Sequence, residues 1–411
     1  MVLFYAWTNV LLLNSVNAKV NFFGEEKADL LIRSNSTLSQ NLLDTIKKNG
    51  FFRKIYFVDM PRINKKRGIL GKIPKLRVLG IKKPMQQFYK RYIMENFTDE
   101  PYDKLITGGL WNDILYILPF LYQKNPGIEV EFLEEGERSY EGIKSLCVPV
   151  VTDNWKRKLV EYYNVGWDKR KYQKNIKNTI YLYRPERYEE DANLKLKKLP
   201  EISREQNNIC FMLLDHISDK IDYSMLLRYI KRPVIYFGNY LVPEQEANYD
   251  MAYRIIDMII RKIGQGKLMI KPHTNVTDHR INFAKKYQGR VYIDRNVYLF
   301  ESMYTKMELE HKIFIAKHST VLSYAKQLFD KEPYLFFTYR LFDYYHEHGD
   351  DISDRYVMSL KRLYRNPEKI IVPNSMLEFE NKLREVYETN LNDKYCKNLK
   401  LAEKTDVSFK K

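Results

Sequence analysis

The sequence predicts an α/β protein with two successive domains, each with a mainly parallel sheet covered by helices. Short apolar runs alternate with amphipathic helical stretches from end to end, as strands and covering helices do in parallel α/β folds. The alternation is interrupted by the charged segment Arg184–Asn207, which has no sustained period and holds Pro185 and Pro200. A length of 411 residues also exceeds that of one ordinary core.

The first half begins with an apolar stretch, Val2 to Leu13, that has the composition of a signal peptide. It lacks a basic start and is interrupted by Thr8 and Asn9, so we expect a strand and then a helix that Thr8 or Asn9 caps. The predicted strands are Val2–Trp7, Asp29–Ile32, Lys54–Asp59, Lys104–Thr107, Ile128–Leu133 and Thr179–Tyr183. The predicted helices are Asn9–Lys19, Ser36–Lys48, Met85–Glu95, Leu110–Tyr122 and Asn154–Tyr163.

A second series of the same kind follows the charged segment, which we interpret as a linker. Its predicted strands are Ile209–Leu214, Val234–Phe237, Leu268–Lys271, Val291–Ile293, Ile313–Ala316 and Tyr334–Phe337, with helices at Glu244–Ile263 and Val321–Phe329. We therefore predict an N-terminal domain over 1–195, a C-terminal domain over 206–390 and a basic tail over 391–411.

The composition is that of a globular chain, with 45% hydrophobic and 14% aromatic residues. Basic residues outnumber acidic ones by 69 to 52, a net charge of +17 that favours acidic partners or, alternatively, is only solvated. The denser basic stretches, from Arg53 to Arg91 and from Lys156 to Lys177, are compatible with contact at an anionic membrane surface. Cys147, Cys210 and Cys396 lie far apart, so we expect no zinc or disulfide framework and a reducing cytoplasm.

Three short polar signatures follow predicted strands. The first is Glu134-Glu135-Gly136, where two carboxylates end a strand and a glycine permits a turn close to a ligand. One carboxylate could accept the proton of an attacking hydroxyl. The alternative is an ordinary solvated strand end.

The second signature is Lys271-Pro272-His273-Thr274. An imidazole at the carboxyl edge of a sheet can bind a phosphate oxygen and neutralise charge on a leaving group, and Lys271 could add a second positive charge. The alternative is a structural histidine and a solvated lysine.

The third signature is His318-Ser319-Thr320, followed by a helix. A hydroxyl here usually caps the helix, and the same geometry offers free N–H groups and two hydroxyls to an anion.

In this order the three signatures resemble the acidic-Gly, His-Pro and Ser-Ser/Thr motifs of bacterial sialyltransferases of the GT-B type. The opening Trp7-Thr8-Asn9-Val10-Leu11-Leu12-Leu13-Asn14 is similar to the start of glycosyltransferase family 52, which includes lipooligosaccharide sialyltransferases. Polysialyltransferases are more distant relatives. The resemblance implies a GT-B fold, two Rossmann-like domains whose parallel sheets face a central cleft.

The resemblance also implies roles for particular residues. Glu135 or its neighbour Glu134 would be the base, with Asp250 as a rival, and Gly136 would shape the turn. His273, Ser319 and Thr320 would hold the phosphate of the donor, with Lys271 beside them, and Glu301 would contact the cytidine ribose.

The implied reaction is inverting transfer of sialic acid from CMP-sialic acid to a hydroxyl of a capsule or lipooligosaccharide glycan in the bacterial envelope. The implied partners are the CMP-sugar donor and a glycan acceptor, which a lipid can carry, and the resemblance leaves room for a homodimer. We expect no cofactor and no metal requirement, because a histidine, two hydroxyls and a helix N-terminus can stabilise the departing phosphate. We expect no nucleic-acid partner, because the basic residues form no recognisable reader motif.

Two departures from the motif pattern keep alternatives open. His273 is followed by threonine where the pattern has proline, and Glu-Glu replaces the common aspartate. A transferase of the same fold that uses another nucleotide-activated donor, a hexose or a polyol phosphate, is therefore the main alternative. The other is a non-enzymatic basic protein that binds nucleic acid or a membrane with a steep dependence on salt.

Overall fold

A computed structural model describes most of the chain as two compact units, Met1–Pro200 and Glu201–Lys411. The predicted helices Met85–Glu95 and Asn154–Tyr163 lie outside the described residues, as do His273 and the tail 391–411. The described residues are 1–34, 40–59, 100–110, 114–140, 146, 174–188, 193–219, 221–238, 246–272, 286–294, 296, 299–343, 345 and 351–390.

The first unit is built on a seven-stranded sheet in which every paired strand is parallel to its neighbour. Its order is β3-β2-β1-β4-β5-β6-β7. The strands are β1 Val2–Ala6, β2 Ala28–Ser34, β3 Ile55–Asp59, β4 Lys104–Thr107, β5 Glu129–Leu133, β6 Ile176–Leu182 and β7 Lys195–Lys198. The described helices are α1 Asn9–Phe22, α2 Gln40–Lys48 and α3 Ile114–Lys124, with 3₁₀ turns at Glu137–Tyr140 and Pro185–Arg187.

Strand β1 is buried at every residue, as expected of a central strand in a sheet covered on both faces. Helix α1 begins directly after it, because Thr8 has extended backbone angles and its side chain accepts the Leu11 N–H at 3.1 Å. The helix is buried continuously from Leu11 to Lys19 and includes Asn14 and Asn17. It is a central helix rather than an amphipathic surface one.

The second unit repeats the plan with a six-stranded parallel sheet of order β10-β9-β8-β11-β12-β13. The strands are β8 Val234–Phe237, β9 Leu268–Lys271, β10 Tyr292–Ile293, β11 Ile313–Ala316, β12 Tyr334–Phe337 and β13 Ile370–Ile371. The described helices are α4 Asn208–Asp219, α5 Tyr223–Lys231, α6 Glu246–Ile263, α7 Thr320–Phe329, α8 Asp351–Leu363 and α9 Met376–Asn390. The 3₁₀ turns are Phe300–Thr305, Tyr339–Leu341 and Pro367–Lys369.

Each unit has its own hydrophobic core. In the first, Leu105, Phe132 and Ile180 of neighbouring strands pack with Leu118 of α3. In the second, Ile256 and Ile259 of α6 and Phe379 and Leu383 of α9 pack with sheet residues such as Phe336 of β12.

The predicted fold class, α/β with two Rossmann-like domains, is confirmed for each unit. In both sheets the first strand lies beside the fourth, and the second and third strands lie on its other side, which is the doubly wound order. Within the described residues, no helix is both long enough and apolar enough to cross a bilayer.

The predicted strand at Ile209–Leu214 is wrong, because this segment is the first half of helix α4. The buried apolar residues of the helix are Cys210, Leu213, Leu214 and Ile217, spaced by three and four, which is the period of one helix face. A run of six apolar residues fits both the alternating period of a strand and the helical period of three to four residues. Only the burial pattern distinguishes the helix from a strand here.

The prediction that Arg184–Asn207 is a linker is wrong over Lys195–Lys198. These residues form β7, which pairs in parallel with β6 from Thr179↔Lys195 to Leu182↔Lys198. An edge strand has only one neighbour, so its lysines remain at least partly exposed and the segment lacks the apolar pattern of a buried strand.

Candidate functional site

Both sheets have a topological switch point at their carboxyl edge. In the first unit the chain crosses from β1 to β2 and β3 on one side and then to β4 on the other, so the connections after β1 and β4 diverge. In the second unit the same divergence lies between β8 and β11. Ligands of open α/β sheets bind in the crevice at such a point.

Glu135 is directed to the switch point of the first unit, although its own strand, β5, lies one position away. The Trp7 indole Nε1 donates to Glu135 Oε1 at 2.9 Å. Gly108 follows β4, and a Cβ placed on it would lie only 2.8 Å from Glu135 Cβ. The residues that follow β1, β4 and β5 therefore meet around one carboxylate, which is half-buried.

The turn after Glu135 is fixed by its neighbours. Gly136 has a φ of 142°, a conformation that favours glycine. The Glu135 N–H donates to Ser139 Oγ at 3.0 Å, and the Ser139 N–H donates to the Gly136 carbonyl at 3.0 Å. The backbone at Glu135 is thereby tied to the 3₁₀ turn that follows it.

Glu134 has a different environment. It is fully buried, and its Oε2 accepts from the Tyr140 hydroxyl at 2.6 Å and from the Tyr183 N–H at 2.8 Å. Its carbonyl accepts from Asn14 Nδ2 at 2.7 Å. The carboxylate therefore joins the end of β5 to the following 3₁₀ turn and to the end of β6, and the backbone carbonyl joins it to helix α1. Glu135, which is partly exposed, is the better placed of the two to receive a proton from a substrate.

Ser319 and Thr320 lie at the switch point of the second unit. Ser319 follows β11 and is the N-cap of α7, with extended backbone angles. Among the described residues its side chain makes no capping hydrogen bond, unlike that of Thr8. The N-terminal N–H groups of a helix attract an anion, so the arrangement can hold a phosphate.

A 3₁₀ turn, Phe300–Thr305, packs over this edge. The Phe300 ring lies edge-on to that of Phe237, the last residue of β8, with centroids 4.9 Å apart. The Tyr304 hydroxyl donates to the Val321 carbonyl, in the first turn of α7, at 2.8 Å. Glu301 is therefore carried on a segment that contacts both sides of the switch point.

Glu301 is itself buried, and burial raises the pKa of its carboxyl to about 7 against the attraction of the Lys271 ammonium. A carboxyl group with this pKa can release its proton near neutral pH, and the resulting carboxylate can accept hydrogen bonds from the hydroxyls of a ligand.

Lys271, the last residue of β9, is held by groups at the same edge. Its Nζ lies 3.1 Å from Asp294 Oδ2 and also donates to the Asn296 carbonyl. Asp294 Oδ2 accepts in addition from the Tyr229 hydroxyl at 2.8 Å. The lysine thus joins the ends of β9 and β10, and its charge is balanced by a buried aspartate.

The structure says less about the other two predicted residues, His273 and Asp250. His273 lies outside the described residues, so its role stays a prediction. Asp250 is exposed in the first half of α6, which follows β8. Within the described parts of the chain, no group of three or more His, Cys, Asp or Glu side chains could hold a metal ion.

Trp7, Gly108, Tyr229 and Asp294 were not singled out from the sequence. Trp7 carried one signal, since it ends the first strand of a doubly wound domain. For the others only the pairing of strands distant in sequence shows which side chain they meet.

No protein-family model matches the sequence, and no curated protein matches it. Similar solved structures include the UDP-GlcNAc 2-epimerase of Neisseria meningitidis bound to UDP-GlcNAc, 13% identical, with 96% of this chain and 100% of that chain covered and a TM-score of 0.43. MurG of Acinetobacter baumannii is 12% identical over 96% of this chain and 92% of that chain, with a TM-score of 0.37. Arabidopsis thaliana UGT89C1 complexed with UDP is 10% identical over 96% of this chain and 98% of that chain, with a TM-score of 0.42. These likenesses are distant and assign no substrate or residue role to this chain.

Proposed function

We propose that the protein is a glycosyltransferase that moves a glycosyl group from a nucleotide-activated donor to a hydroxyl of a glycan. The supporting observation is that each unit carries a suitable group at its own switch point. Glu135 is held there in the first unit, and Ser319 begins a helix there with no capping bond from its side chain among the described residues. Ligands of doubly wound domains bind at this position.

In the proposed reaction Glu135 takes the proton of the acceptor hydroxyl. The hydroxyl oxygen attacks the anomeric carbon of the donor, and the bond from that carbon to the phosphate oxygen breaks. One displacement of this kind inverts the configuration. The negative charge that grows on the phosphate is stabilised by Ser319, Thr320 and the N-terminus of α7, with His273 as the proposed imidazole partner.

The donor class follows from what the second unit offers. A helix N-terminus suits a phosphate, and the Glu301 carboxyl suits the hydroxyls of a ribose. None of the described contacts selects one base or one sugar. The proposal therefore covers nucleotide-activated sugars, hexose donors included, and CMP-sialic acid is the particular donor that the order of the motifs suggests. A polyol-phosphate donor would react at phosphorus and not at an anomeric carbon, so it stays a separate alternative.

The first experiment measures nucleotide binding as a rise in melting temperature with CMP, CDP, UDP and GDP. We expect one nucleotide to stabilise the protein strongly, with CMP indicating the sialic acid donor and UDP or CDP another sugar. The His273→Ala variant should lose most of that shift. The exposed His216 on α4 provides a matched control, His216→Ala, that should keep it. If neither these four nucleotides nor ADP and dTDP raise the melting temperature, the proposed function is wrong.

Turnover then tests the base, with the released nucleotide as the readout. Glu135→Gln should lower kcat by about a hundredfold or more and leave the nucleotide-induced melting shift unchanged. Glu129→Gln, at the amino end of the same strand, is the control and should retain kcat. An equal loss of turnover and nucleotide binding in Glu135→Gln would assign that residue a structural role instead.

A further inference from the structure

The geometry points to Trp7 as a positioning residue for the Glu135 carboxylate. This inference rests on the proposed function, in which Glu135 accepts the proton of the acceptor hydroxyl. In that reaction the hydrogen bond from the Trp7 indole N–H, together with the space left by Gly108, holds the Glu135 carboxylate in the orientation that glycosyl transfer requires.

The contact is made from three separate strand ends. Trp7 follows β1, Gly108 follows β4 and Glu135 follows β5. The indole Nε1 donates to Glu135 Oε1 at 2.9 Å, a normal length for a hydrogen bond to a charged acceptor. The two residues are 128 positions apart in the chain, so the bond forms only when the sheet is assembled.

The indole is itself restrained. Its ring packs against that of Tyr5 on β1, with centroids 5.3 Å apart. The backbone on either side is fixed by β1, which ends at Ala6, and by Thr8, which caps α1. A donor on a rigid, packed ring between a strand and a helix has little freedom to follow a moving carboxylate, so it defines where the carboxylate lies.

Gly108 acts on the other side of Glu135. A Cβ at this position would lie 2.8 Å from Glu135 Cβ, 3.2 Å from its Cγ and 3.2 Å from Leu11 Cδ2. The first distance is shorter than real side chains tolerate, so any larger residue at 108 would displace Glu135 or the backbone. The position needs glycine because of this close approach and not because of its own backbone angles, since its φ is not positive.

Position matters for a general base, because a displacement of about 1 Å can reduce a rate by about a hundredfold. The test is a double-mutant cycle that combines Trp7→Phe with Glu135→Gln, with kcat and the donor KM measured for all four proteins. Trp7→Phe keeps most of the ring and removes the donor. We expect it to lower kcat by about tenfold to a hundredfold with the donor KM unchanged, and to cost less than about twofold in the Glu135→Gln background.

A purely structural role for Trp7 would lower kcat by the same factor in both backgrounds, and that result would overturn the inference. An unchanged kcat in Trp7→Phe would overturn it too. Gly108→Ala is the second variant, and it removes no hydrogen-bond donor. It should lower kcat in the same direction and should also cost little more once Glu135 is glutamine.

An NMR measurement tests the hydrogen bond between Trp7 and Glu135 independently of enzyme activity. In protein with ¹⁵N-labelled tryptophan, the indole N–H resonance that disappears in Trp7→Phe should move in Glu135→Gln, because the acceptor loses its charge. A stationary resonance would overturn the inference. If Glu135→Gln retains full turnover while the resonance moves, the contact is real and the proposed base is wrong, so the two failures are distinguishable.

Discussion

At the scale of single residues, the neighbouring carboxylates of Glu134 and Glu135 have different environments because their side chains point in different directions. Successive residues at a strand end point to opposite sides. Glu134 points to buried donors, the Tyr140 hydroxyl and the Tyr183 N–H, and it holds elements together. Glu135 points to the Trp7 indole at the switch point and is partly exposed. A shift of one residue in this strand would exchange the two environments.

Glu301 is the clearest case of a titratable group tuned by its surroundings. Burial raises the pKa of its carboxyl from 4.5 to about 7. Between these two values the folded protein binds more protons at this site than the unfolded chain does. The contribution of Glu301 to stability is therefore fully present below the unfolded pKa of 4.5 and is lost as the pH rises through about 7.

The Glu301→Gln variant lacks this titration. Relative to the wild type, its free energy of unfolding should rise by on the order of 3 kcal/mol between pH 5 and pH 8, measured by denaturant titration at both values. The exposed Glu308 gives a matched control, Glu308→Gln, for the removal of one carboxylate from the surface of the same unit. The same wild-type-to-variant difference for Glu301→Gln at both pH values would contradict the prediction.

At the scale of elements, two helices begin at the switch points and differ at their first residue. Helix α1 has an ordinary cap, in which Thr8 Oγ1 accepts the Leu11 N–H at 3.1 Å. Helix α7 begins at Ser319 with no capping hydrogen bond from the serine side chain among the described residues. A serine at the N-cap normally makes this bond, and in the proposed function the Ser319 hydroxyl binds a phosphate instead.

Because the two caps differ, loss of the hydroxyl should affect the free energy of unfolding differently at Thr8 and at Ser319. Thr8→Ala should lower the free energy of unfolding by about 1 kcal/mol, whereas Ser319→Ala should change it by less than about 0.5 kcal/mol in the absence of nucleotide. In thermal melts with the stabilising nucleotide, Ser319→Ala should then lose part of the shift. If Ser319→Ala destabilises the nucleotide-free protein as much as Thr8→Ala does, the serine is an ordinary cap.

At the scale of the whole molecule, the strands of each sheet are parallel, so all of their carboxyl ends lie at one edge. Four of the candidate residues lie at these edges, Glu135 in the first unit and Lys271, Glu301 and Ser319 in the second. The opposite edge serves stability. There Lys312, just before β11, donates to the Tyr229, Ile230 and Arg232 carbonyls at the end of α5.

The difference between the two edges of the second sheet can be tested by hydrogen exchange in the complete protein. The stabilising nucleotide should slow exchange in peptides that cover Phe300–Thr305 and the start of α7, because these segments meet at the switch point. Exchange at Leu309–Ile313, before and at the start of β11, should be unchanged. The Ser319→Ala protein is the control and should show weaker protection. Slowed exchange at the amino ends of the strands would place the nucleotide elsewhere.

The sequence alone determined the fold class, most strand positions and the location of the three polar signatures. β4, β8, β9, β11 and β12 were predicted with the bounds that the structure has. Parallel strands are buried on both faces, so short apolar runs between helices identify them locally. The acidic pair and the Ser-Thr pair were found because they directly follow such runs.

Only the tertiary structure decided which carboxylate is buried, that Ile209–Leu214 is helical and that Lys195–Lys198 forms an edge strand. Each of these depends on partners far away in the chain. Glu134 and Glu135 are chemically identical until Tyr183 and Trp7 reach them, and an edge lysine strand looks like a linker until β6 pairs with it. Local periodicity records which faces are apolar, whereas contacts between distant segments are set by the packing of the assembled sheet.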